Sequence, residues 1–303
     1  MIEHIKNYVY SLVSPEWQWH LVGVDILVII GMLFVFKHTI GVYSGINVKD
    51  EISEKDNPAY GIVLGCLFFS FFLIMSAAST GDILVPITHE VALMLSYGVG
   101  GILMLLVSKT IFDKVSMKAF CVKEELRKGN VAASIVDGGN IVATAIIVFA
   151  YMGWVKTSTV NTLMVVAFGW LLSQGLLSLL TWVRAKMYRS VDGETLIDSI
   201  KDGNVAVAVR FTGYRISLAL APLITLPHYP YESDYGYLLA LEIFITSILL
   251  AAIYVFGTFL TKKVIFRGVD FHKEINQERN YGLAFVELAI VLGLTFLNYG
   301  LLR

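Results

Sequence analysis

Eight apolar runs, each about the length of a helix that crosses a hydrocarbon core, leave this 303-residue chain few ways to fold. They lie near residues 21–40, 58–79, 90–112, 131–153, 160–183, 204–225, 237–261 and 281–301, and roughly 20 residues suffice for a helix to span a bilayer. Hydrophobic residues make up 56% of the chain and charged residues 16%, whereas about a quarter is charged in a soluble domain. Mean hydropathy is +0.71. The expectation is an all-α integral membrane protein with eight transmembrane helices. Their connections are too short for a separate globular domain. Glu3, Lys6 and Glu16 precede the first run and no small-residue cleavage site follows it, so it reads as an uncleaved span.

Lys and Arg resist translocation, so their distribution sets orientation. The connections after runs one, three, five and seven hold Lys37, Lys49 and Lys55; Lys109, Lys114, Lys118, Lys123, Arg127 and Lys128; Arg184, Lys186, Arg189 and Lys201; and Lys262, Lys263, Arg267, Lys273 and Arg279. The other side holds Lys6, Lys156 and Arg303, while Arg210 and Arg215 fall inside the sixth run. Both termini are therefore expected outside. Trp17, Trp19, Tyr229, Tyr231 and Tyr235 then act as anchors at the outer interface. Cys66 falls in a membrane run and Cys121 in a cytoplasmic connection, which positions neither for a disulfide.

Internal repetition sets the architecture. Every even-numbered run starts at an Asn after a charged connection: KDNPAYG at Asn57, KGNVAAS at Asn130, DGNVAVA at Asn204 and ERNYGLA at Asn280, spaced by 73, 74 and 76 residues. The chain reads as four parallel two-helix repeats about an axis near the membrane normal. An Asn here caps the free N–H groups of the helix it starts, and Glu51-Ile52, Glu125-Leu126 and Glu274-Ile275 lie just before it in amphipathic lead-ins on the membrane surface.

Counting from each Asn separates two faces. Ala59, Ala132, Ala206 and Gly282 stand two residues on, and Cys66, Gly139, Gly213 and Ala289 nine residues on. These small side chains let neighbouring helices approach closely. Ile147 falls on neither face and is expected to meet lipid. Positions four, seven and eleven share an arc of about 60°: Gly61, Ser134, Ala208 and Ala284; Leu64, Asp137, Phe211 and Glu287; Phe68, Ile141, Arg215 and Val291. Asp137 and Glu287 lie roughly 10 Å from the cytoplasmic surface and Arg215 roughly 16 Å, at 1.5 Å per residue.

An unpaired charge at that depth costs at least about 2.5–3.5 kcal/mol. Asp137, Glu287, Arg210 and Arg215 are expected to face one another or water, and together they balance. Arg210 lies on a different stripe, from which it can also reach the headgroups. The cluster either lines a path for an ion or solute or is a buried pair that fixes how the repeats dock. At the outer ends of the odd runs stand Asp25, Glu90, Asn161 and Glu242, and the outward loops add Asp82, Glu232 and Asp234. An acidic mouth would concentrate cations, with Asp25 and Glu242 the deeper candidates for the path.

Signatures of catalysis are lacking. His4, His20, His38, His89, His228 and His272 are dispersed, and no HExxH, CxxC or GxSxG pattern occurs. No cofactor, metal or nucleic-acid partner is implied. The partner classes in view are the lipid bilayer, a small cation or solute, a second copy of the chain and a cytoplasmic protein.

The helix starts KGNVAASIVDGG, DGNVAVAVRFTG and DNPAYGIVLG resemble those of the YjfL-like inner-membrane proteins, a bacterial family of unknown function whose typical member has four helices. The likeness covers residues 20–302 as two tandem units, 1–157 with its N-terminal interfacial segment and 158–303. It implies a bacterial inner-membrane location and a link with polyamine or envelope-stress neighbours, and it assigns no role to any residue. The function expected is a channel or transporter for a small ion or cationic solute. The alternative is a non-transporting scaffold that docks cytoplasmic partners on its basic loops.

Overall fold

A computed structural model of the protein describes residues 19–44, 49–78, 87–118, 120–155, 160–188 and 193–301. Trp17, Asp82, Lys6, Lys156, Arg189 and Arg303, named above, lie outside them, as do the side chains of Trp19 and Glu90. The membrane helices are α1 (Trp19–Ser44), α2 (Pro58–Ala78), α3 (Ile87–Ile111), α5 (Val131–Val155), α6 (Val160–Met187), α8 (Val205–Thr225), α9 (Gly236–Ile265) and α11 (Tyr281–Leu301). Short helices α4 (Val122–Arg127), α7 (Leu196–Lys201) and α10 (Phe271–Asn276) lead into α5, α8 and α11, and a π-helical turn at Asp50–Glu54 leads into α2. The fold is all-α, and its eight long helices are apolar and long enough to cross a membrane, where backbone groups must be satisfied within the segment.

The helices that start at the Asn residues stand side by side in chain order, α2 against α5, α5 against α8 and α8 against α11. The others form a second row: α1 packs on α3, a π-helical turn continuing α3 (Phe112–Ser116) touches α6, and α6 packs on α9. α5 and α8 sit mid-row and carry the two most buried spans. That position corrects the expectation for Ile147, which is 1% exposed: a helix with neighbours on every side has no lipid face. The small residues nine positions after the Asn do mark the contacts within the row. A Cβ on Gly139 would meet Thr212 of α8, and one on Gly213 would meet Leu288 of α11.

One device ends every lead-in. The residue before each Asn has positive φ: Asp56 at 48°, Gly129 at 77°, Gly203 at 76° and Arg279 at 54°. The left-handed turn stops the short helix and lets the Asn side chain cap the long one. Asn130 Oδ1 accepts from Ala133 N, Asn204 Oδ1 from Val207 N and Asn280 Oδ1 from Leu283 N. A Cβ at Gly203 would meet nothing within 4 Å, so Gly203→Ala carries only the backbone cost. We expect it to lower unfolding free energy in detergent by about 1–2 kcal/mol.

The Asn amides do more than cap. Asn57 Nδ2 donates to Leu126 O at 2.9 Å, Asn130 Nδ2 to Ile200 O at 3.1 Å and Lys201 O at 2.9 Å, and Asn204 Nδ2 to Ile275 O and Asn276 O at 3.3 Å. Each holds the lead-in of the following repeat by its last carbonyls. Among the described residues the Asn280 amide instead donates to Glu274 of its own lead-in, at 2.9 Å. Asn204→Ala is therefore expected to cost about 2–3 kcal/mol, the cap plus stranded carbonyls. Asn280→Ala should cost only about 1 kcal/mol, the cap alone. Equal midpoints for the two variants in a denaturant titration would remove the latch.

Candidate functional site

Asp137 sits on α5 with 0% exposure, and its counter-ion comes from α3. Lys109 Nζ lies 2.7 Å from each Asp137 carboxylate oxygen. Helical side chains tilt toward the helix N-terminus, so a Lys in the last turn of α3 points back along its own helix and reaches a carboxylate beneath the surface. Beside this pair opens a cavity of about 260 Å³ between Phe36, Tyr60, Leu64, Leu105 and Lys123. Asp113, in the π-helical turn after α3, lines it too and keeps a buried Oδ1 without a hydrogen bond. Such turns recur at functional positions.

Glu287 of α11 repeats the arrangement with the other half of the chain. Lys262, in the last turn of α9, places Nζ 2.6 Å from Glu287 Oε1, and the Tyr214 hydroxyl donates to the same oxygen at 2.7 Å. Arg210 Nε lies 3.1 Å from Oε2 but is not aligned as a hydrogen bond. The Arg184 guanidinium stacks over the Tyr214 ring at 3.6 Å. One carboxylate thus anchors a group of three cations, Arg184, Arg210 and Lys262.

Arg215 joins neither group. Its Nε and Nη2 donate to Asn140 Oδ1 at 3.1 and 2.7 Å, and its Nη1 donates to Thr181 Oγ1 at 2.7 Å and Leu177 O at 3.2 Å. The Phe112 ring lies 4.8 Å from the guanidinium. It is 5% exposed, and among the described residues no carboxylate pairs with it.

The shared cluster expected from Asp137, Arg215 and Glu287 is thus three separate arrangements. The reason lies in the rows. The stripe that carries positions seven and eleven turns toward the second row, so each carboxylate takes the cation of the helix packed there, α3 for α5 and α9 for α11. Arg210 pairs with Glu287 rather than reaching for headgroups. Asp25 on α1 is half-buried and Glu242 on α9 exposed; both lie toward the opposite end of their helices from the lysines and arginines described here. In the sequence Lys109, Lys262 and Arg184 read as loop charges, and nothing there marks Asn140, Thr181 or Tyr214. A lysine closing an apolar run was the available signal, because its side chain must point back into the run.

The lead-ins carry their own electrostatics. Glu51 is held below the ordinary carboxylate range, first by the Lys55 ammonium at 2.7 Å, against the pull of burial, and then by the Asn57 amide. Glu125 is also lowered: burial pushes it up, but hydrogen bonds from Lys128 and Asn130 outweigh that. Both carboxylates stay ionised as struts of the Asn latch. Among the described residues no group of three or more His, Cys, Asp or Glu side chains could hold a metal ion.

The family model described as Domain of Unknown Function (DUF350) matches the chain three times, over residues 17–152, 85–221 and 158–302. No curated protein and no solved structure matches it.

Proposed function

We propose, since the chain belongs to the DUF350 family and that family assigns no activity, that its buried charges carry its role and that this polytopic membrane protein passes a small ion across the bilayer. The observation that carries the reading is the Lys109–Asp137 pair beside the 260 Å³ cavity. A structural ion pair needs no cavity, whereas an ion path needs charged groups beside space that water or a solute can enter. Lys262–Glu287 supplies a second such pair in the other half of the chain.

The charged groups gathered at Asp137, Glu287 and Arg215, all buried or half-buried, number five cations, Lys109, Arg184, Arg210, Arg215 and Lys262, and three carboxylates, Asp113, Asp137 and Glu287. That balance weighs against a cationic solute, the class that the acidic outer residues favour. The test is flux in vesicles. Purified protein should dissipate an imposed salt gradient faster than protein-free vesicles, and rates equal to those of empty vesicles would leave the alternative. In that alternative the exposed Lys123, Lys128 and Lys273 of the lead-ins dock a cytoplasmic partner without transport.

Three overlapping family matches, each starting about one helix pair after the last, support parallel two-helix repeats, and the recurrence of the Lys–carboxylate pair in the second and fourth repeats supports two four-helix units. The helix-start motifs favour a YjfL-like protein of a bacterial inner membrane. The basic connections favour lead-ins in the cytoplasm and both termini outside. With Cys66 and Cys121 replaced, a cysteine at Ser53 or Lys273 should be shielded from an impermeant thiol reagent in intact cells, while one at Ser233 should react. The opposite labelling would invert the orientation.

A further inference from the structure

Arg215 poses a problem that the two ion pairs do not. A guanidinium carries five N–H donors and a charge that it cannot shed. Four of those donors are spent on neutral acceptors, the Asn140 amide oxygen, the Thr181 hydroxyl and the Leu177 carbonyl. One N–H and the whole positive charge remain without an anionic partner. Charges in a membrane interior are ordinarily paired, because an isolated ion there is costly.

Next to Arg215 a cleft of about 50 Å³ opens between α6, α8 and α9. That is several times the about 10–15 Å³ that admits one water. Arg184 and Tyr214 also line it, so two arginines border one space that no carboxylate lines. Tyr254 of α9 lines it as well; the residue is 2% exposed, and its hydroxyl is buried without a hydrogen-bond partner. A buried hydroxyl left unsatisfied forfeits the hydrogen bonds it made to water. An acceptor in the cleft would satisfy that hydroxyl and offset the charge.

We propose that this cleft binds a small monovalent inorganic anion of chloride size. Arg215 supplies its remaining N–H and its charge, Arg184 a second positive charge, and Tyr254 a hydroxyl donor. The site stands roughly 16 Å along α8 from Asn204, at 1.5 Å per residue, deeper than Glu287 is along α11. The inference rests on the ion-passage reading for its consequence, that the passing ion is an anion. Binding is measured without any gradient, so the two can fail separately. Bound chloride without flux would sink passage and keep the site, and flux without bound chloride would do the reverse.

The probe is chloride itself. With full-length protein in detergent, the ³⁵Cl resonance should broaden in proportion to protein, and bromide should displace the effect. The melting temperature should rise in potassium chloride relative to potassium gluconate of equal ionic strength. Tyr254→Phe keeps the packing and removes one donor to a charged ligand, so it should weaken chloride binding about tenfold while leaving the gluconate melting temperature unchanged or higher. Arg215→Gln should abolish the broadening. If that variant does not fold, Tyr254→Phe decides alone. No broadening beyond that of empty micelles, or an unaltered chloride midpoint in Tyr254→Phe, would overturn the site.

Discussion

Lys109→Met is expected to lower stability by about 3–5 kcal/mol, the usual cost of removing one partner of a buried pair. Asp137 is 0% exposed and Lys109 is its hydrogen-bonded cation. Without it the carboxylate must stay charged in a low-dielectric interior or take up a proton. Adding Asp137→Leu removes the stranded charge, and Leu64 occupies the corresponding position of the first repeat. The double variant should therefore recover most of the loss, as apolar replacements of buried pairs commonly do. Denaturant midpoints of wild type, both single variants and the double variant form the cycle. Additive losses would show that the two side chains do not act as a pair.

Gly139→Leu should have an effect of similar size for a different reason. A Cβ added at Gly139 would run into Thr212 Cγ2 and would lie 2.7 Å from its Oγ1 and 2.9 Å from its Cβ. The last contact cannot be relieved by rotating Thr212, whose hydroxyl also holds Ile135 O at 3.0 Å. Helices α5 and α8 would have to separate along the most buried contact of the row. Overpacking costs about 1–3 kcal/mol where a core can adjust. Here the backbones themselves must move, and we expect a loss of at least about 3 kcal/mol with folded yield falling to match. Leu103→Phe, on a side chain 57% exposed, is the control and should fold normally. A Gly139→Leu variant with wild-type yield would mean that α5 and α8 do not meet there.

Length, apolarity and the Asn spacing made the eight helices legible, because membrane spans are long and their repeats nearly equal. The small residues at Gly139 and Gly213 were legible as well, since close approach in lipid requires them. Which charges meet was not. Asp137, Glu287 and Arg215 share one stripe by counting, but a helix count gives angular position on one helix and says nothing of which row the stripe faces. The partners came from Lys109 and Lys262, whose positions at the ends of apolar runs look like loop positions until side-chain tilt is considered. The latch shows the same division. The capping role of Asn57 or Asn204 follows from local sequence, while their bonds to carbonyls of the next lead-in, about 70 residues further on, depend on the side-by-side packing of repeats.

Ion flux through vesicles containing the Lys109→Met, Asp137→Leu double variant tests the central claim most directly, because it separates architecture from passage at one site. The variant is expected to fold, for the reasons given by the cycle, and to have lost at least about nine-tenths of the wild-type flux, equivalent to about 1.4 kcal/mol or more on the barrier. A folded double variant with full wild-type flux would contradict the account and reduce the carboxylate of α5 to a docking contact.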